Sequence, residues 1–353
     1  MKKIGIINKI IAFSNVDGPG NRTAVFFQGC NLKCLYCHNP ETIHFCVGCG
    51  QCVEVCPAGA LTVGVGKRQA FGSPYNEGTN PSTLPRTRGR DVSEADRAGA
   101  TPCPLPDAGE GGPPPQAVVG EGDLLQPITW TSPKCVSCDA CSKACPHLAS
   151  PKTRRMTAEE LVTEIKKTAP YINGVSFSGG ECTLQRDFLV EVIPLIRQLG
   201  LGVLLDSNGT YDFEKDPVLL EMIDGVMLDI KAADPAVCRT LTGAGPELPI
   251  KNLKYLQSVG KLAEVRTVLL PEGSASVTGE GDLYPTHSMN ELTVRTVASL
   301  LDPAIPYKLL RYRPFGVRQE GIEIIGNTIT EESDAEALAA LARSLGAENC
   351  RVV

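Results

Sequence analysis

The chain has 353 residues and a mass of 37.6 kDa, enough for one large domain or two smaller ones. Hydrophobic residues at 42% and charged residues at 21% exclude a chain that is disordered or fibrous throughout. A net charge of −6 with a pI near 5.4 argues against nucleic acid as the main partner. No apolar run reaches the ~20 residues that a membrane helix needs, so no membrane partner is expected.

Cysteine is the outlier. There are 15, and 11 of them fall in three tight groups. Gaps of two and three residues are metal-ligand spacings, unlike those of a secreted disulfide scaffold, and the expected compartment is a reducing cytoplasm.

The opening stretch, MKKIGIINKIIAF, lacks a long apolar centre and a small-residue cleavage site. It reads as a first strand and not as a signal peptide. Residues 22–28 read as a strand that feeds the first cysteine group. Residues 42–62 and 133–150 carry the other two groups. Between them, residues 71–126 hold nine Gly and nine Pro and few large apolar side chains. Such a segment cannot bury enough surface to offset its ordering entropy. The whole stretch 64–132 is therefore expected to be a disordered insertion, with Cys103 a free thiol inside it.

From residue 157 the pattern alternates between helix and strand. Thr157-Ala-Glu-Glu160 is a capping box opening a helix with Leu161 and Ile165 on one face. Ile172–Ser178 reads as a strand, 184–199 as a helix closed by Gly200, and Gly202–Asp206 and Gly225–Ile230 as two further strands. A helix over 248–259, strands over Leu262–Leu270 and Tyr307–Tyr312, and a helix over 331–345 complete the series. Residues 271–288 read as a surface loop. Near-continuous apolar strands separated by helices predict an α/β fold with a parallel sheet covered on both faces. About six βα units are too few for a closed eight-stranded barrel, so an open, partial (β/α)6 barrel is expected.

The first cysteine group is Cys30-Asn-Leu-Lys-Cys34-Leu-Tyr-Cys37. Three thiolates can hold three irons of a [4Fe–4S] cube and leave the fourth iron open for a substrate or cofactor. The group follows directly after a strand, where parallel-sheet enzymes place their sites. A zinc site or a simple electron-transfer cluster remains the alternative.

The motif resembles that of the radical S-adenosylmethionine (SAM) superfamily, and Ser178-Gly-Gly-Glu181 at the end of the second predicted strand extends the likeness. Two glycines let backbones approach closely, and a carboxylate complements an ammonium. The resemblance implies that Gly179, Gly180 and Glu181 bind the methionine amino group of SAM. One branch is closer still, the glycyl radical enzyme activases. Asp17-Gly-Pro-Gly20-Asn-Arg22, Leu205-Asp-Ser-Asn-Gly209 and Met227-Leu-Asp-Ile-Lys231 all look like activase signatures.

By that resemblance Tyr36, Cys37, His38, Asp206, Ser207, Asn208, Asp229, Ile230, Lys231 and Arg313 would contact SAM. Asp206, Ser207, Met227 and Asp229 would surround a monovalent cation, and Asp17 and Lys231 would act in catalysis. Other activases often carry a His where Arg313 stands here. Arg cannot serve as a base, which leaves charge pairing with SAM as its expected role.

The other eight cysteines form two runs, Cys46-x2-Cys49-x2-Cys52-x3-Cys56-Pro and Cys135-x2-Cys138-x2-Cys141-x3-Cys145-Pro. This is the pattern of two-cluster bacterial ferredoxins, in which the last cysteine of each run ligates the other cluster. Cys46, Cys49, Cys52 and Cys145 are expected to hold one [4Fe–4S] cube, and Cys135, Cys138, Cys141 and Cys56 the other; zinc is the alternative. The expected division is a barrel from 1–40 and 151–353, with a ferredoxin-like insert over 41–150.

Activases with such an insert form a recognised subset, and the opening NKIIAFSNVDGPGNR, QGCNLKCLYCHNP and the later Leu241-Thr-Gly243 look most like its YjjW-type branch. The resemblance implies a radical SAM oxidoreductase with three cubes. It would cleave SAM to a 5′-deoxyadenosyl radical that takes hydrogen from a glycine of a partner glycyl radical enzyme. A flavodoxin or ferredoxin would be the reductant. A radical SAM enzyme for a small molecule and a ferredoxin-type electron carrier are the competing functions.

Overall fold

The computed structural model describes residues 2–63, 128–272 and 286–353. Residues 1–66 and 124–353 belong to one compact unit, and all the described elements fall within it. The Pro/Gly-rich stretch up to residue 127, with Cys103, lies outside the described residues, as does most of the 271–288 loop.

A nine-stranded sheet forms the framework. Its strands are β1 (Gly5–Ser14), β2 (Arg22–Phe27), β5 (Arg154–Met156), β6 (Gly174–Gly179), β7 (Gly202–Ser207), β8 (Gly225–Asp229), β9 (Leu262–Leu269), β10 (Tyr307–Arg311) and β11 (Cys350–Val352). Their order is β11-β10-β9-β8-β7-β6-β2-β1-β5. From β2 through β6 to β11 every neighbour is parallel, while β1 runs antiparallel to β2 and β5. The six strands β2 and β6–β10 are those expected from the pattern, and neither edge closes on the other. The result is an open, partial barrel.

Alternation along the strands sends successive side chains to opposite faces. Val175, Phe177, Val203, Leu205 and Val226 face the helices α3 (Ala158–Lys166), α4 (Arg186–Arg197), α5 (Pro217–Met222), α7 (Glu247–Ser258), α8 (Thr286–Leu300) and α10 (Glu332–Ser344). Phe27 joins this core through Phe177 and Phe188, with ring centroids 5.6 and 6.0 Å apart. The opposite, inner face is not helix-covered. It is lined by Ser176, Ser178, Asp206, Glu264, Arg266 and Lys308, buried in hydrogen bonds and ion pairs.

Helix ends follow local chemistry. The Thr157–Glu160 capping box is present in both directions. Gly200 takes φ +75° and its N–H returns to the Arg197 carbonyl at 2.9 Å. Helix α8 begins at Thr286, inside the stretch expected to be loop.

The cysteine-rich segment has its own small architecture. Strands β3 (Leu61–Val63) and β4 (Ile128–Trp130) pair antiparallel, and two short helices, α1 (Gln51–Glu54) and α2 (Ala140–Lys143), carry Cys52 and Cys141. Strand β4 begins at Ile128, inside the 64–132 stretch read as an insertion. The two runs share one backbone path. Gly48, Gly50 and Gly59 have φ of +72°, +89° and +57°, and Ser137, Asp139 and Leu148 repeat this at +54°, +57° and +48°.

At the other end of β2, the chain must pass close to β6. A Cβ on Gly180 would collide with the backbone carbonyl of Gly29. Gly200 has open space instead. Gly180→Ala is expected to cost several times the ~1–2 kcal/mol that left-handed φ alone would charge Gly200→Ala. Anaerobic urea unfolding of the two variants checks this; equal midpoints would contradict the close approach.

Candidate active site

The cysteine loop is held by backbone bonds at both ends. Gly29 and Cys30 N–H donate to the carbonyls of Thr42 and Ile43 at 2.8 and 2.9 Å. Lys33 and Leu35 N–H donate to Thr242 and Leu241 at 2.9 and 2.8 Å, at the end of α6 (Pro235–Thr242). Arg318 closes the loop from outside, donating to the Lys33 carbonyl at 3.0 Å. Gln28 Nε2 donates to the carbonyls of Glu41 and His44 at 2.7 and 2.5 Å, fixing the exit toward the second cysteine run.

The Cys30 sulfur already accepts from Leu32 N–H at 3.5 Å and Asn208 Nδ2 at 3.8 Å. Burial pushes the Cys34 thiol up to about 12 and raises those of Cys30 and Cys37. Thiols so placed need a metal to make them thiolates, which is what iron ligation does.

The glycines of Ser178–Glu181 serve the strand contact first. Gly180 and Glu181 N–H donate to Phe27 and Gly29 carbonyls at 3.0 and 2.8 Å. Glu181 differs from expectation. Its side chain is fully buried, and Oε1 accepts from Thr183 N–H (3.2 Å), Thr183 Oγ1 (2.6 Å) and Ser207 Oγ (3.1 Å), while Oε2 accepts from Asn208 N–H (2.7 Å). Burial raises its pKa against these four donors. The carboxylate ties β6 to the turn after β7 and does not stand open to an ammonium.

That turn in turn latches the cysteine loop. Asn208 Nδ2 donates to Asn31 Oδ1 at 3.1 Å, and Asn31 Nδ2 to Thr210 Oγ1 at 2.7 Å.

Deeper on the inner face lies a charge network that the sequence reading reached only in part. Arg266, not singled out there, bridges Asp206 (3.2 Å) and Glu264 (2.5 Å), and its NH2 lies 3.0 Å from Met227 Sδ. Lys308 meets Glu264 at 2.6 Å, and Lys231 meets Asp229 at 2.6 Å. Burial opposes the charge of Lys231, but Asp229 more than offsets it and holds the pKa well up. Burial likewise raises Asp206, with Arg266 opposing.

The residues expected around a cation hold other partners in this structure. The Ser207 hydroxyl turns to Glu181, and the Arg266 guanidinium stands between Asp206 and Met227.

Lys231 Nζ lies 5.9 Å from the centroid of the Tyr36 ring. Tyr36 is buried, and its hydroxyl has no hydrogen-bond partner. An orphaned buried hydroxyl beside a buried cation fits a polar ligand bound there.

Other expected contributors stand apart. Ile230 is fully buried, with its N–H on the Arg266 carbonyl at 2.9 Å. Arg313 takes part through its carbonyl, 2.8 Å from His38 Nε2, and its side chain is exposed. Asp17 lies at the N-terminal ends of the strands. Its carboxylate accepts from Ser14 and its carbonyl from Ser176, one residue pair below Ser178.

The remaining cysteines sort into two pockets. One is lined by Cys46, Cys49, Cys52 and Cys145; the other by Cys56, Cys135, Cys138 and Cys141. Each groups three cysteines of one run with the last of the other.

Residues 129–275 match the radical SAM superfamily and residues 44–62 the 4Fe-4S binding domain. Over 369 aligned positions the chain is 27% identical to the choline trimethylamine-lyase activating enzyme of Oleidesulfovibrio alaskensis, covering 97% of this chain and 96% of that one. It is 24% identical to a putative glycyl-radical enzyme activating enzyme of Haemophilus influenzae, with 96% and 93% covered. It is also 24% identical to the pyruvate formate-lyase-activating enzyme of Clostridium pasteurianum, with 76% and 70% covered. Residues 129–275 thus carry the likeness to the radical SAM superfamily, and residues 44–62 that to a 4Fe-4S binding domain.

Glu181→Gln offers one oxygen where four donors need two, so a buried donor faces an amide NH2. A loss of about 2 kcal/mol is expected in anaerobic unfolding. Unchanged stability would show that the carboxylate does not tie the two strand ends.

Proposed function

We propose that this chain activates a glycyl radical enzyme. When bound, a cube on Cys30, Cys34 and Cys37 together with SAM supplies a 5′-deoxyadenosyl radical that takes hydrogen from a glycine of the partner. The observation that carries the reading is the meeting, at the strands' C-terminal ends, of the buried Cys34, the half-buried Cys30 and Cys37, the Lys231–Asp229 pair and the unpartnered Tyr36 hydroxyl. The activating enzymes aligned along nearly the whole chain support the partner class.

The residues have distinct tasks in this reading. Lys231 keeps its proton and binds the SAM carboxylate, so it is no base. Arg266 balances Asp206, and Asp206, Ser207, Met227 and Asp229 would frame a monovalent cation beside the SAM carboxylate. Asp17, below the thiols on the inner side, faces the approach of the partner's glycine segment and not SAM itself.

The two pockets of the 41–150 insert hold two further cubes, three in all. Their order follows from the backbone. Cys30 N–H bonds Ile43, and the next residue, His44, bridges Ala149, which lines the pocket of Cys46 and Cys145. That pocket is the inner relay. The pocket of Cys56 and Cys138, which lacks that backbone link, is the outer one and would take electrons from a flavodoxin or ferredoxin reductant. A reducing cytoplasm and the YjjW-type branch complete the proposal.

Changing Cys30, Cys34 and Cys37 together to Ala is expected to remove about a third of the iron after reconstitution. It should also abolish 5′-deoxyadenosine formation with dithionite. Cleavage of SAM by the triple variant would overturn the assignment.

A further inference from the structure

Three side-chain polar groups are buried without a partner among the described residues: Tyr36 Oη, Arg318 Nε and Trp130 Nε1. Trp130 is remote from the thiols of the first cysteine group. It ends β4, opposite Leu61 of β3, and packs on the small core of Cys52, Leu61, Ile128 and Cys141. It also lines the pocket of Cys56, Cys135, Cys138 and Cys141.

A buried indole N–H normally finds an acceptor. The charged side chains of this pocket, Lys152 and Asp139, are already paired with each other at 2.5 Å. The acceptors that distinguish this pocket are the four cysteine sulfurs that line it with Trp130. The backbone follows the same design, with Ala60 N–H donating to Cys56 Sγ at 3.3 Å. Among the described residues, no buried unpartnered side-chain donor lines the other cysteine pocket.

We infer that the Trp130 indole N–H is a hydrogen-bond donor to a sulfur of the cube held by Cys56, Cys135, Cys138 and Cys141, and that it makes this cube easier to reduce. The inference rests on the three-cube reading above. Reduction adds one electron to the cube, from [4Fe–4S]2+ to [4Fe–4S]+, and breaks no bond; the indole keeps its proton. A donor to sulfur favours the more negative state, and such bonds are among the levers that set cluster potentials. Trp130 is thus a positioning and tuning residue, and it suits the outer cube for accepting electrons.

The test is a dithionite titration of the reconstituted full chain, followed by electron paramagnetic resonance, for wild type and Trp130→Phe. Iron content should be equal. One midpoint should fall, with the reduction equilibrium weakened about tenfold, or about 59 mV for a one-electron couple, and the other two should stay. Three unmoved midpoints at full iron content would overturn the inference.

If the variant loses iron, the wild type still decides. Trp130 is the chain's one tryptophan, so 15N-indole labelling marks it alone. Pulsed resonance of the reduced protein should detect one 15N coupled to one cube, and no coupling would overturn the inference. Wild-type iron sufficient for only one cube would instead overturn the three-cube reading.

Discussion

The end of β2 meets the end of β6 so closely that no side chain fits between them, and the geometry of the cysteine loop depends on that contact. Gly179 adopts φ +112° with the Phe27 backbone where a Cβ would stand. Gly180 and Glu181 N–H then pair with Phe27 and Gly29, one residue before the first thiol. Glu181 carries the contact sideways to Ser207 and Asn208, and Asn208 reaches back to Cys30 and Asn31. A closed circuit of hydrogen bonds thus runs from β6 to β7 to the thiols. Pre-organisation of this kind orients metal ligands before any metal binds.

The second constraint is charge. Asp206, Asp229 and Glu264 stand against Lys231, Arg266 and Lys308 inside the open barrel. Buried ions are tolerated when paired and hydrogen-bonded, and removing one partner leaves an uncompensated charge. The network keeps a polar inner face within a fold whose outer face is mainly apolar. It also keeps Lys231 charged where an anionic ligand would need it.

Much of this was legible in the chain itself. The cysteine spacings, the capping box at Thr157 and the strand ends at Ser178, Asp206 and Asp229 all follow local rules that sequence carries directly. The parts that were not legible depend on tertiary placement. Arg266 sits in an ordinary apolar strand pattern, and only its alternation to the inner face brings it to Asp206. Glu181 looks available to a ligand until Thr183, Ser207 and Asn208 are seen to saturate it. Arg313 stands in the expected segment, yet a turn leaves its side chain exposed and brings only its carbonyl to His38. The strained φ of Ser137, Asp139 and Leu148 is invisible until the second run is laid over the glycines of the first.

The account's central claim is that SAM binds at the cube of Cys30, Cys34 and Cys37. Electron paramagnetic resonance of the anaerobically reduced protein, recorded with and without SAM, tests it most directly. The account predicts that one cube's signal changes on adding SAM while those of the two pocket cubes stay the same. A spectrum unchanged by saturating SAM would contradict it.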